Sequence, residues 1–176
     1  EQSMVKLNTV KNGGFTMITE TMTAPEVLEI YEQDVNKLAS YLPWLKEKSG
    51  KAVSSLYQAE GIGDNSVSFP VYDGTLMRFV KEAGETVFMD RNYKYVYTRN
   101  RLKTHKDEER LIEKAGILQM DQLGGILSYY VLGGRTKAKL WSEGMNYAIF
   151  YQIIKKSKDL VDFWKNAQTN GNGGEE

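Results

Sequence analysis

The chain contains no cysteine, one histidine and three prolines in 176 residues. Without cysteine there is no disulfide staple, no thiolate nucleophile and no zinc site built on sulfur. That absence agrees with an expected cytoplasmic location. The lone histidine, His105, leaves no imidazole set for a metal, and a histidine base needs an orienting partner and a nucleophile beside it. The patterns G-x-S-x-G, H-E-x-x-H and G-x-x-x-x-G-K-[ST] are all absent. No catalytic residue and no metal ligand is assigned from the sequence, and no cofactor is expected. No apolar run approaches the roughly 18 residues of a membrane span. The first residues also lack the basic segment, apolar stretch and small-residue cleavage site of a secretory signal.

What is present fits an ordinary folded domain. A hydrophobic fraction of 41% is too high for a disordered chain. A chain of this length buries roughly two-thirds of its unfolded surface in one core. The periodicity predicts a mainly α, single-domain helical bundle of about five to seven helices, with one short extended or hairpin segment. Residues 1–22 are polar, contain Gly13–Gly14 and show no sustained period, so they are expected to be a flexible N-terminal segment. Met4 and Met17 are both candidate natural starts. The helical domain is expected over 23–167, with 168–176 a disordered tail.

The first helix carries the clearest start signal. Thr23 can cap, Pro25 sits in the first turn, and Glu26 completes a capping box. Leu28, Tyr31, Val35, Leu38, Leu42 and Leu45 follow at three- and four-residue steps, and Pro43 is expected to split the helix near Tyr41. A further helical stretch is expected over Lys51–Glu60. Val67, Phe69 and Val71 alternate around Pro70, which predicts an extended segment leading to Asp73 as the cap of a helix over Gly74–Ala83. Residues 86–105 read two ways. Tyr93, Tyr95 and Tyr97 alternate as in a strand, whereas Met89, Tyr93, Val96 and Tyr97 fit a helix face; the helical neighbours favour helix. A short helix is expected over Asp107–Ala115, with Asp107, Glu108 and Glu109 favoured at its start by the helix dipole. Asp121 is expected to cap a helix ended by Gly133–Gly134. One long final helix is expected to carry Trp141, Met145, Ala148, Ile149, Gln152, Ile153 and Lys156, extended by Leu160, Phe163 and Trp164.

The net charge is zero, with 23 basic and 23 acidic residues. This excludes a histone-like polycation but hides a segregation along the chain. Residues 91–106, RNYKYVYTRNRLKTHK, hold six basic residues and no acidic one, whereas residues 15–90 hold twelve acidic and six basic residues. Cations neutralise phosphates and tyrosine rings offer stacking faces for unpaired bases. Arg91, Lys94, Tyr95, Arg99, Arg101 and Lys103 are therefore candidate ligand-binding residues. The plainer alternative makes Tyr93, Val96 and Tyr97 core and leaves the charges solvated or paired with the acidic half; an acidic protein partner is a third reading. His105, set among lysines, is expected to be a solvated loop residue. A second segment, GGRTKAKLW over 133–141, places Arg135, Thr136 and Lys137 between two helices, where free N–H groups attract anions. Glycine at a helix C-terminus is also ordinary. Trp141 and Glu143 follow, and either could line a pocket, although Trp141 also suits the core.

The segments FPVYDG and YYVLGGRTKAKLW, with the helix beginning near Asp121 between them, resemble an uncharacterised bacterial family of small helical proteins. That family has a Pro-Val-Tyr segment and a Gly-x-Arg turn before its last helix. The similarity spans roughly Leu38–Leu160. It implies a helical fold and a bacterial or phage source, and no activity. The expected function is a non-enzymatic binding protein for a phosphate-bearing ligand, nucleic acid or nucleotide. The alternative is a protein-interaction module, an inhibitor or antitoxin-like factor, binding through the first amphipathic helix or the region of Trp164. A weaker option is an enzyme whose carboxylates converge only in the fold. No membrane partner is expected, and the oligomeric state is left open.

Overall fold

The computed structural model describes residues 4–7, 19–59 and 67–171, and these are mainly helical, as the periodicity predicts. The chain begins with two short strands, β1 (Met4–Leu7) and β2 (Thr19–Met22), paired antiparallel with Met4 opposite Met22. They fall inside the segment expected to be flexible. Each is four residues long, too short to show a period, so only their pairing reveals them. Gly13–Gly14 and Met17 lie outside the described residues.

Helix α1 (Ala24–Ala39) starts as expected: the Thr23 N–H donates to the Glu26 carboxylate at 3.1 Å. Pro43 separates it from α2 (Leu42–Lys48). The α1 stripe of Val27, Leu28, Tyr31, Val35 and Leu38 is buried. The helix lies along the C-terminal helix and is tied to it at the surface by Glu32–Lys165 and by Lys158 donating to Asn36 at 2.9 Å.

The stretch expected to be helical over Lys51–Glu60 is instead strand β3 (Ser54–Ala59). It pairs antiparallel with β4 (Val67–Tyr72), with Ser54 opposite Tyr72 and Ala59 opposite Val67. The correction has a physical reason. Local composition there decides nothing, while Pro70 holds β4 extended and β4 supplies the backbone partners. Pro70 lacks an N–H, and among the described residues β4 pairs with β3 alone, a strand position in which proline is tolerated. Residue 60 and the glycines expected to end that helix lie outside the described residues.

Asp73 then caps α3 (Gly74–Ala83), accepting from the Thr75 N–H at 2.7 Å. The ambiguous region contains a short helix, α4 (Tyr93–Arg99), so its helical reading holds for seven residues. Helix α5 (His105–Lys114) begins two residues before the expected start, capped by Thr104 with Asp107 completing the box. A 3-10 turn (Ile117–Gln119) leads into α6 (Met120–Gly133), so Asp121 sits in the first turn rather than capping it. The expected single final helix is two: α7 (Lys139–Asn146) and α8 (Ile149–Gly171). The break falls at Ala148, which adopts φ 54°. Helical spacing continues across it because both helices bury apolar residues. In α8 the buried stripe runs through Ile149, Phe150, Ile153, Ile154 and Val161, while Phe163 is 64% exposed. Residues 168–171, expected to be disordered, belong to α8, and 172–176 lie outside the described residues.

Helix α6 is the centre. Leu123, Ile126, Leu127, Tyr130 and Val131 are almost fully buried, and so is the polar Ser128. Ser128 Oγ accepts from the Asp90 N–H at 2.9 Å and donates to the Gly124 carbonyl at 2.6 Å. A run of aromatic edges crosses the core, from Tyr41 through Phe79, Phe150 and Tyr130 to Tyr129 and Tyr97, with ring centroids 4.7–6.0 Å apart. Such spacings are attractive beyond simple burial.

A left-handed alanine costs about 1 kcal/mol more than glycine in the same place. Ala148→Gly is therefore expected to raise the melting temperature by about 2–4 °C, measured by thermal denaturation. An unchanged or lowered value would show that the break is not strained.

Candidate functional site

Helix α4 and the turn that follows it form the candidate site, and backbone chemistry sets their shape. Arg101 takes φ 54°. Its N–H donates to the Thr98 carbonyl at 3.2 Å, and the Leu102 N–H donates to the Tyr97 carbonyl at 2.9 Å. This is a Schellman ending, in which glycine is the usual left-handed residue. Here an arginine holds the position. The chain reverses into Thr104, whose hydroxyl accepts from the Asp107 N–H and so starts α5.

Helix α4 has two chemically distinct sides. Its inner side packs on α6 in antiparallel sense. Val96 lies against Gly125, where an added Cβ would come within 2.5 Å of its methyl group. Tyr93 and Tyr97 meet the Tyr129 ring at centroid distances of 5.9 and 4.7 Å. Val96 is thus buried and Tyr97 partly buried against the core, as the plainer reading has it, while Tyr93 is half-buried. The outer side carries the charge. Arg91, Lys94, Arg99, Arg101 and Lys103 are exposed, and none of them forms an ion pair among the described residues. Tyr95 is 58% exposed, with the Arg99 guanidinium 6.0 Å from its ring centre.

The second predicted segment is a neighbour but not an extension of this face. The Tyr93 hydroxyl reaches within 3.8 Å of where a Gly133 Cβ would stand, so the 133–137 turn adjoins the start of α4. Arg135 turns elsewhere: its guanidinium packs over Gly84 at the carbonyl end of α3, a favourable place for a cation. The Thr136 hydroxyl donates to the Gly133 carbonyl at 3.2 Å, and Lys137 is exposed. Trp141 is packed rather than open. Its ring lies on Gly134, meets Tyr72 edge-on at 5.5 Å, and donates its indole N–H to the Val131 carbonyl at 3.2 Å.

Behind α4 lies a cavity of about 450 Å³ between α4, α5, α6 and α7. His105, expected to be solvated, is one of its walls. It opens α5, stacks on Tyr147 with centroids 3.5 Å apart, and sets Nδ1 3.1 Å from the Tyr130 hydroxyl. That hydroxyl donates to Glu108 Oε2 at 2.6 Å, and the other Glu108 oxygen is 3.7 Å from His105 Nδ1. Helix capping explains Asp107 but not Glu108, whose side chain is buried in this cluster. Burial pushes the Glu108 carboxyl above the usual glutamate range. The Tyr130 hydrogen bond and His105 oppose the rise less strongly, and Glu143 adds to it. Burial, then the bond to Glu108, drives the Tyr130 phenol far upward.

Glu143 lines the cavity, as its sequence position beside the GGRTKAK turn allows, whereas Trp141 does not. Glu108, Tyr129 and Tyr130 carry no signal in the sequence, since nothing local distinguishes a cavity wall from any other helix face. No group of three or more His, Cys, Asp or Glu among the described residues could hold a metal ion. No helix among them is long and apolar enough to cross a membrane. No family model matches the chain, and neither a curated protein nor a solved structure gives a significant match.

A carboxyl raised in the folded state favours folding below its unfolded value and loses that contribution as pH rises through its folded value. Glu108→Gln keeps an acceptor for Tyr130 but has no charge to bury. Urea denaturation between pH 4 and pH 7 is expected to show wild type losing ground to Glu108→Gln as pH rises. A constant gap would mean that Glu108 does not titrate in this way. Gly125→Ala is expected to cost about 1–3 kcal/mol by forcing α4 off α6, read from the same denaturation curves.

Proposed function

We propose that the chain is a non-enzymatic binding protein for single-stranded nucleic acid, which it contacts through the outer side of α4 and the turn after it. One observation carries this reading: a row of exposed cations without ion-pair partners among the described residues flanks an exposed tyrosine. Lys94, Arg99, Arg101 and Lys103 would neutralise successive phosphates, with Arg91 at the near end, and Tyr95 would stack on a base. The cations follow a helix and a loop rather than gathering round a hollow, which favours a polymer over a mononucleotide. Arg101 supports the reading in a second way. A left-handed position that glycine would fill more cheaply is held by a cation, and local strain of this kind concentrates at functional sites.

The alternative, a protein-interaction module, loses one of its two surfaces. The apolar face of α1 is already covered by α8, which leaves only exposed Phe163 beside half-buried Trp164.

Fluorescence anisotropy with labelled oligo-dT and oligo-U, from low to moderate salt, tests the proposal. Four or five phosphate contacts predict a log–log salt slope of about −3 to −3.5. Tyr95→Ala is expected to weaken binding by about 1–3 kcal/mol. Arg101→Gly is expected to lower affinity while raising the melting temperature by about 2–4 °C. Absence of binding at low salt would overturn the proposal.

A further inference from the structure

The cavity behind α4 has a chemistry opposite to that of the helix's outer side. Two carboxylates face it, Glu108 from α5 and Glu143 from α7, and each appears among the charges acting on the Tyr129 phenol at the wall. Tyrosine rings from α4 and α6, Tyr97, Tyr129 and Tyr130, enclose it. Among the described residues the only full cation lining it is Lys103, exposed at the rim, while Lys139, outside the cavity, stands 3.8 Å from Glu143. The Tyr97 hydroxyl is shut off from solvent and has no hydrogen-bond partner among the described residues. A buried polar group without a partner is costly, and such groups are rare in folded proteins.

We propose that this cavity is a binding site for a small organic ammonium ion, held by the Glu108 and Glu143 carboxylates beside the Tyr97 and Tyr129 rings, with buried Tyr130 behind them. Its volume lies within the usual range of small-molecule sites, about 300–1,000 Å³. Aromatic faces attract cations, and the attraction grows as water is excluded. The carboxylates repel phosphate and carboxylate ligands, so the site selects against the polyanion bound outside. Because the Tyr130 proton goes to Glu108, His105 donates its Nδ1–H to the Tyr130 oxygen, and this contact fixes the wall. The site does not depend on the nucleic-acid reading, and a failure of either leaves the other standing.

The probes are putrescine for a primary ammonium and choline for a quaternary one, with sodium phosphate and sodium acetate at matched ionic strength as controls. Thermal shift and calorimetry on the full chain are the readouts. With a dissociation constant of about 1 mM, about 10 mM of a binding amine should raise the melting temperature by roughly 3–6 °C, saturably. Affinity should increase as pH rises through the acid range, because Glu108, facing Glu143, His105, Tyr97, Tyr129 and Tyr130, must ionise to hold the cation. Glu143→Gln, a change at a partly exposed residue, should weaken binding about tenfold. Tyr97→Phe removes an unpartnered hydroxyl that the cavity does not reach, so it should leave the free protein as stable or more stable and amine affinity unchanged, which makes it the control variant. Three results would each overturn the proposal: no saturable shift with either amine, equal shifts from the sodium salts, or undiminished affinity in Glu143→Gln.

Discussion

Helix α6 has to be buried on nearly every side, and the rest of the structure is arranged to meet that demand. A helix surrounded by neighbours needs small residues where they approach. Gly124 and Gly125 supply that space, the first beneath the Phe88 carbonyl and the second beneath Val96. The glycines weaken α6 as an isolated helix, by about 1 kcal/mol each relative to alanine. The close packing they permit offsets this, because helix stability in proteins comes mainly from tertiary contact. Ser128 then satisfies the Asp90 N–H and fixes the chain entering α4.

The seat on Gly125 decides how α4 presents itself. With Val96 inward, the helical repeat turns Tyr93 and Tyr97 toward Tyr129 and leaves Lys94, Tyr95 and Arg99 facing water. One short helix thus separates a basic outer surface from an acidic, aromatic interior. The zero net charge of the chain is the sum of such separated regions, and the field at either side has little to do with the total. The Glu108–Tyr130 bond is the deepest polar link on the inner side. It satisfies a buried hydroxyl and one carboxylate oxygen together, leaving the second oxygen near His105.

Elements governed by near neighbours were legible in the residues. Thr23 with Glu26 marked α1, Pro43 marked its division from α2, and Asp73 marked α3. Signals failed where the deciding partner was distant. Strand β3 exists through its pairing with β4, and nothing in Lys51–Glu60 announces it. The break at Ala148 was hidden because two helices of matching period meet there, and a left-handed alanine looks like any helix-forming alanine. His105 among lysines had every mark of a surface residue, and only the fold sets its ring on Tyr147 and beside the Tyr130 hydroxyl.

The exposed cations of 91–103 and the glycine-rich turn at 133–134 could be read directly, because charge and backbone freedom are properties of single residues. Their relation to one another could not. Antiparallel packing of α4 on α6 brings the turn beside Tyr93 yet leaves Arg135 over the end of α3, so the two basic segments adjoin without merging. By itself the sequence determined a mainly helical domain, its principal caps and the segregation of its charge, since periodicity and capping act within a few residues. Only the tertiary structure decided that Glu108, Glu143 and three tyrosines share one cavity. Convergence of that kind depends on which helix faces pack together, and packing joins residues that the chain keeps up to 46 positions apart.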